Sequence, residues 1–317
     1  MTTHTSARIV LKPRKARPFF GRHPWVLDSA VERVEGNLVD GDVADLYSDR
    51  GEWIARGLYN SQSRIRLRLY TWRSEDSLDA AFWRRRIEAA IACRAALFDH
   101  AGQRALRLVF SEADGLSGLV VDRYGDYVVV QVAALAIALR IKPIIDILAE
   151  LLRPRGIMVR YDREVARLEG LPATLEEVAW GEPAEGPVFI EEHGIRYGVD
   201  LSAGQKTGFF LDQRENRRVA AGYFHGRHVL DLFCYSGGFA LCASRLGAAV
   251  DVLAIDSSPN AIALAKANAE LNEITNARFE CGDAFRALET LASDRKKFGG
   301  VVLDPPKFAR RRQAVEE

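Results

Sequence analysis

Four aspartates, Asp231, Asp256, Asp283 and Asp304, recur at or just after the ends of successive short apolar runs. The runs are Val229–Phe233, Val252–Ile255, Ala277–Glu280 and Gly300–Leu303, and each reads as a buried β-strand. In a parallel α/β sheet such strand ends line one edge, where ligands bind. Carboxylates there can accept hydrogen bonds from hydroxyl and amino groups, and they attract cations. Asp256 follows Asp231 at close to the ~20-residue spacing at which an acid meets a ribose hydroxyl pair. Taken singly, each acid suits a helix cap or a solvated strand end. Four in phase are hard to attribute to scaffold.

Between the first two acids runs Asp231-Leu-Phe-Cys-Tyr-Ser-Gly-Gly-Phe239, a strand that breaks into a small-residue turn and then a helical pattern. Glycine lets backbone approach a ligand, and a helix N-terminus supplies free N–H groups. A dinucleotide needs Gly-x-Gly-x-x-Gly for its pyrophosphate. Here Phe233, Cys234 and Tyr235 fill the turn, so pyrophosphate fits badly. S-adenosylmethionine offers a ribose and an adenine without phosphate, together with a sulfonium and an ammonium that suit an acidic edge. Asp256 suits the ribose and Asp283 the adenine amino group.

The elements that must hold these groups are legible in outline. Ser258-Pro259 is an N-cap and first-turn proline for a helix over Asn260–Leu271. A helix from Gln213 to about Tyr223 leads into the Asp231 strand. Val188–Ile190 and Ile195–Val199 suggest a hairpin around Glu191-Glu192-His193-Gly194. The composition changes near Pro187, where a boundary is placed. Upstream, Ser77–His100 reads as an amphipathic helix carrying Trp83, Ile87, Ile91 and Phe98. Strands follow at Leu106–Phe110, Gly118–Asp122 and Tyr127–Val132. Val132–Leu152 reads as a buried helix interrupted by Pro143, and 154–187 as a loop-rich connector.

Ile9–Trp72 looks all-β, with short apolar runs separated by Gly36-Asn37, Asp40-Gly41-Asp42 and Asp49-Arg50-Gly51. Arg64-Ile-Arg66-Leu-Arg68-Leu alternates with period two, placing the arginines opposite a core face. Lys12, Arg14, Lys15, Arg17 and Arg22 crowd around Phe19 and Phe20. Basic residues among aromatics suit RNA, through phosphate pairing and base stacking. A solvated strand face with a frayed arm is the bland alternative.

The chain has 317 residues, which favours two or three domains. Hydrophobic residues make up 48% and charged residues 27%, as in ordinary globular proteins. A net charge of +1 gives no global field for polyanions, so any nucleic-acid surface is a local patch. Cys93, Cys234, Cys242 and Cys281 form no CxxC pair and no zinc spacing, which points to free thiols in a reducing cytoplasm and to no bound metal. No apolar run reaches the ~20 residues of a membrane span, so no membrane partner is expected.

Asp-Leu-Phe-Cys-Tyr-Ser-Gly-Gly-Phe, Ala-Ile-Asp-Ser-Ser, Cys-Gly-Asp-Ala-Phe and Leu-Asp-Pro-Pro-Lys-Phe resemble the successive motifs of class I methyltransferases. More narrowly, the chain resembles the bacterial 23S rRNA cytosine-C5 methyltransferase family with an N-terminal PUA domain. Glu191–Gly194 resembles that family's hairpin motif, and Lys206-Thr-Gly-Phe-Phe-Leu-Asp-Gln-Arg214 its cofactor lid. Ser111–Leu119 and Val121–Asp126 resemble its central domain, and His23-Pro24-Trp25-Val26 the PUA start. The resemblance implies an α/β multidomain protein: a PUA-like β-barrel over 1–75, a central α+β domain over 76–187, and a Rossmann-like methyltransferase domain with an incomplete sheet over 188–317. It implies that Asp231 and the stretch Cys234, Tyr235, Ser236, Gly237 and Gly238 cradle the methionine part of S-adenosylmethionine. Asp256 and Ser257 would hold the ribose, Asp283 and Ala284 would sit at the adenine, and Phe210, Gln213 and Arg214 would close over the cofactor. Asp304, Pro305, Pro306 and Lys307 would border the target base. Lys12, Arg14, Arg64, Arg66 and Arg68 would grip 23S rRNA.

Methylation of cytosine C5 proceeds by adding a cysteine thiolate to C6. None of the four cysteines suits that attack, and the family's nucleophile lies on a strand after the Asp304 motif. The chain ends at Glu317, where roughly three more strands of such a sheet should follow. A C-terminally shortened chain lacking the nucleophilic cysteine is therefore expected, with its last strand an open edge and a homodimer one way to cover it. Two alternatives stand beside C5 methylation. One is an rRNA methyltransferase acting on a guanine or adenine nitrogen, which needs no thiol. The other is a catalytically inert RNA-binding fragment. Product analysis and calorimetry with S-adenosylmethionine separate the three.

Overall fold

The computed structural model describes residues 7–95, 105–161, 163–171, 176–201 and 208–305. The chain divides into two compact units. One comprises Met1–Gly186 with Leu201–Phe209, the other Pro187–Asp200 with Phe210–Glu317.

The first unit opens with β1 (Ala7–Leu11), the short helix α1 (Arg17–Phe20), β2 (Trp25–Leu27), β3 (Val31–Glu35), β4 (Val43–Tyr47), β5 (Trp53–Tyr59) and β6 (Ile65–Thr71). They form one six-stranded sheet in the order β2-β6-β5-β4-β1-β3, with β1 and β4 parallel and the other pairs antiparallel. Period-two alternation puts Ile9, Leu11, Leu46, Ile54, Leu67 and Leu69 into a shared core with Phe19.

The same unit continues through α2 (Ala80–Ala95), β7 (Ala105–Phe110), β8 (Leu119–Tyr124), β9 (Tyr127–Val132), α3 (Leu135–Ala138), α4 (Ile141–Leu152), β10 (Gly156–Tyr161), α5 (Arg163–Glu169) and β11 (Glu176–Gly181). Its five-stranded sheet runs β11-β10-β9-β8-β7. Three expectations change here. Pro143 does not interrupt a helix; it sits in the first turn of α4, where a missing N–H costs nothing. The expected loop-rich connector contains β10, α5 and β11, because the apolar Ile157 and Val159 are buried beside β9. The helix expected over Ser77–His100 is shorter at its start, and its Phe98 lies outside the described residues.

The second unit begins with the hairpin β12 (Val188–Glu192) and β13 (Ile195–Val199), paired antiparallel around His193-Gly194. Then come α6 (Arg214–Ala221), β14 (His228–Leu232), α7 (Gly238–Arg245), β15 (Asp251–Asp256), α8 (Pro259–Leu271), β16 (Ala277–Cys281), α9 (Ala284–Ser293) and β17 (Gly300–Leu303). These strands form a parallel sheet in the order β16-β15-β14-β17. Order reverses at β14, the switch point where such sheets bind ligands. Among the described residues β17 is an edge strand, with Val301 and Leu303 exposed. No helix among the described residues is long and apolar enough to cross a membrane.

Candidate functional site

The switch point is occupied by the turn from β14 into α7. Phe233, Tyr235 and Gly237 all lie in the left-handed region, with φ of 63°, 49° and 83°. For Phe and Tyr that costs about 1–3 kcal/mol each, and it persists only where surroundings over-determine it. Here they do. Cys234 N–H donates to the Ile255 carbonyl at 3.1 Å, and Gly237 N–H to the Cys234 carbonyl at 2.9 Å. Tyr235 N–H donates to Asp256 Oδ2 at 2.9 Å. The Asn268 amide, buried on α8, donates to the Ser236 carbonyl at 3.3 Å.

The glycines owe their identity to the protein beneath them rather than to ligand approach. A Cβ on Gly237 would lie 3.0 Å from the Phe279 ring and 3.2 Å from Ala265 Cβ. One on Gly238 would lie 3.0 Å from Arg217 Cδ.

The sheet register brings three of the four acids to this turn. Leu232 pairs with Ile255 on one side and Leu303 on the other, so Asp256 and Asp304 flank the first turn residue. Asp256 accepts Tyr235 N–H on one oxygen and Ser258 N–H on the other, the latter at 2.9 Å. Each oxygen keeps a second acceptor direction for a ribose hydroxyl. Asp231 lies beneath the turn, 1% exposed. One of its oxygens accepts Ala240 N–H, while Oδ2 is buried with no hydrogen-bond partner. Burial pushes its pKa up to about 8, partly offset by the Ala240 hydrogen bond, with the charges of Asp304 and Asp256 raising it further. Asp231 is therefore mostly protonated at neutral pH. The fourth acid, Asp283, caps α9 by accepting Arg286 N–H at 3.0 Å, and it is exposed. Ala284 is buried behind it.

S-adenosylmethionine fits this donor set. A buried carboxyl oxygen without a partner requires an explanation, and an ammonium donor would supply one. The Ser236 hydroxyl is likewise buried without a partner. A cation beside Asp231, Asp256 and Asp304 relieves mutual repulsion of like charges.

Above the turn, the Phe210 ring meets the Tyr235 ring edge-on, 5.5 Å between centroids and 82° between planes. The Phe210 carbonyl accepts from Arg217 at 3.0 Å, and Arg217 pairs with the equally buried Glu192 at the end of β12. Of the expected lid residues, Gln213 accepts a hydrogen bond from the Asn216 amide at 2.8 Å. Arg214 is buried near Glu192 and Arg217, and burial lowers its pKa. Lys206 and Thr207, with Pro306 and Lys307 of the target-base loop, lie outside the described residues; Asp304 and Pro305 are exposed. Glu192, Arg217 and Asn268 were not anticipated. The alternation of Ile190 and Glu192 marks the latter as inward-facing. Arg217 follows Arg214 by one helical turn, on the same face.

Burial, with Asp231 and Asp256 nearby, raises the Cys234 thiol pKa far above its usual range, which disfavours a thiolate. Cys242, 3.6 Å from the Tyr197 hydroxyl, is pushed up to about 11 by burial. Cys93 and Cys281 are exposed, and Cys281 contacts the Ser257 carbonyl at 3.6 Å. A cavity of about 500 Å³ lined by His228, Asp251, Arg278, Lys296 and Lys297 lies at the amino ends of β14–β16, the opposite sheet edge from the acids.

The basic residues of the first unit separate into two groups. Lys12 donates to the Ser29 carbonyl at 3.1 Å, and the Arg64 carbonyl accepts Asp28 N–H at 2.9 Å. The Lys12 side chain and the Arg64 backbone therefore flank the exposed Asp28–Ala30 turn, and the Arg14 and Arg64 side chains are exposed too. Arg66 is half-buried and donates to the Asn60 and Ser61 carbonyls. Arg68 corrects the expectation of an RNA-facing arginine row. It is 7% exposed, pairs with Glu169 at 2.8 Å and donates to Ser117 at 3.1 Å. The period-two reading of β6 is right, but Arg68, on the face opposite the core, meets Glu169 of α5 instead of solvent.

Comparison with known proteins fits these two regions. A PUA-like domain model matches residues 9–72, and an S-adenosylmethionine-dependent methyltransferase model matches residues 165–315. The chain is 40% identical over 307 residues to ribosomal RNA large subunit methyltransferase I of Aeromonas hydrophila, covering 96% of this chain and 77% of that protein. The protein of the same name from Tolumonas auensis is 39% identical over the same coverage. A SAM-dependent methyltransferase structure from Streptococcus mutans superposes with a TM-score of 0.81 at 21% identity, over 98% of this chain and 82% of that one.

Proposed function

Because this chain belongs to the family of the ribosomal RNA large subunit methyltransferase I proteins, S-adenosylmethionine-dependent methyltransferases with a PUA-like domain, we propose that it serves methyl transfer to C5 of a cytosine in large-subunit rRNA. The observation that carries the reading is the partnerless buried Asp231 Oδ2 beneath a strained turn that Asp256 holds from one side. Bound S-adenosylmethionine supplies an electrophilic methyl group on a sulfonium. Asp256 would hold the ribose, Asp231 and the Cys234–Gly238 turn the amino-acid end, and Asp283 with Ala284 the adenine. Phe210 and Tyr235 would exclude water from one side. Asp304 and Pro305 would border the target base, with the proline's fixed φ presetting the loop.

Lys12, Arg14 and Arg64 would contact rRNA phosphates, as their exposure in the PUA-like region suits. The attacking thiolate is assigned to none of the four cysteines, since the resemblance places it on a strand following the Asp304 motif. The test is nucleoside analysis of rRNA methylated by the enzyme with isotopically labelled S-adenosylmethionine. Label in 5-methylcytosine is the expected result, and label in an N-methylated purine overturns the assignment. Calorimetry showing no S-adenosylmethionine binding would favour a purely RNA-binding role.

A further inference from the structure

The buried pair Glu192–Arg217 has no part in the chemistry above, yet it sits between the hairpin and the lid. Both residues are almost inaccessible, at 1% and 3%. Arg217 spends one nitrogen on Glu192 and another on the Phe210 carbonyl. Its aliphatic stem lies across Gly238, where any side chain would displace it. Phe210 in turn packs edge-on against Tyr235, whose N–H is held by Asp256. The hairpin reaches the turn a second way: Gly198 N–H donates to Asn268 at 2.8 Å, and the Asn268 amide donates to the Ser236 carbonyl. Stability alone does not require such a pair, because burying two charges costs about what their attraction returns. A guanidinium does offer two fixed donor directions at once, which a lysine cannot.

We infer that Glu192 and Arg217 are positioning residues that fix Phe210 against Tyr235, so that the hairpin sets the shape of the cofactor lid. This deepens the cofactor reading above and rests on it. Arg217 acts through Phe210, so losing it weakens capture of S-adenosylmethionine and leaves turnover of bound cofactor largely intact.

The experiment compares wild type, Arg217→Lys and the double variant Glu192→Gln/Arg217→Met, which removes both charges of the pair together. The readouts are thermal unfolding without ligand, calorimetric Kd for S-adenosylmethionine, and the split between KM and kcat. The double variant is expected to melt close to wild type yet bind S-adenosylmethionine about tenfold more weakly or worse, the scale of one lost charge-assisted hydrogen bond. KM should rise while kcat at saturation stays within about threefold. Arg217→Lys keeps a charge for Glu192 but loses the fork, and should be intermediate; it also decides the matter if the double variant does not fold. A folded variant with wild-type Kd overturns the proposal and leaves the pair a packing feature. Wild type failing to bind S-adenosylmethionine would instead sink the cofactor reading beneath it.

Discussion

The affinity for S-adenosylmethionine should depend on pH through Asp231. This carboxyl is pushed up to about 8 by burial, and the charges of Asp256 and Asp304 oppose its ionisation further. A cationic ligand beside it favours the carboxylate, so binding must expel the proton. At pH 7 roughly nine in ten unliganded molecules hold that proton, and binding should release close to one. Linkage then predicts that Kd falls roughly eightfold from pH 6 to 7 and about two- to threefold from 7 to 8, then rises above pH 8 as the ligand's own ammonium loses its charge. Calorimetry in buffers of different ionisation heat counts the proton directly. The Asp231→Asn variant separates this group from the ligand's own α-amino group, which titrates at about 7.7–8.0. In that variant the steep limb below pH 8 should vanish. The folding sign follows as well. The native state holds a proton that the unfolded carboxyl loses near its ordinary value of 3.8, so stability without ligand falls as pH rises from about 4 to 8 and levels off above. A Kd flat from pH 6 to 9 in wild type, with no proton released, would refute the reasoning.

Further outcomes follow from the same geometry. Asp256→Ala should weaken S-adenosylmethionine binding by about 1–3 kcal/mol, and lower the melting temperature because Tyr235 and Ser258 N–H lose their acceptor; calorimetry and thermal melts check both. Gly237→Ala should destabilise by about 1–3 kcal/mol from its left-handed φ, beyond the clash with Phe279 and Ala265, as denaturant unfolding will show. Arg68→Met should cost about 3–5 kcal/mol of stability by stranding the buried Glu169, whereas Lys12→Ala and Arg64→Ala should leave stability alone. Those two should instead each reduce the salt slope of rRNA binding by about one, in filter-binding titrations.

The sheet of the second unit was readable because its strands are short apolar runs, each closed by an acid or a turn. Ser258 and Pro259 announce α8, and the structure shows the Ser258 side chain accepting Ala261 N–H. The gathering of Asp231, Asp256 and Asp304 at one turn was readable for the same reason: parallel register carries strand ends to one edge. Pairing between distant residues was not readable. Nothing in Arg64-Ile-Arg-Leu-Arg-Leu says that Arg68 alone meets Glu169, about a hundred residues later in the chain and brought close only by folding. Glu192 and Arg217 are ordinary surface residue types, and their burial depends on each other. In the stretch 154–187, glycines and prolines at the element ends concealed β10 and α5, whose own apolar runs are brief.

The central claim is that the carboxyl edge of β14, β15 and β17 receives S-adenosylmethionine. Amide hydrogen exchange of the whole chain, with and without saturating S-adenosylmethionine, tests it most directly. New protection is expected across Phe233–Gly238, at Asp256–Ser258 and around Phe210, with the amino-edge cavity at His228 and Lys296 unchanged. Protection confined to that opposite cavity, or none at the Phe233–Gly238 turn despite measurable binding, would contradict it.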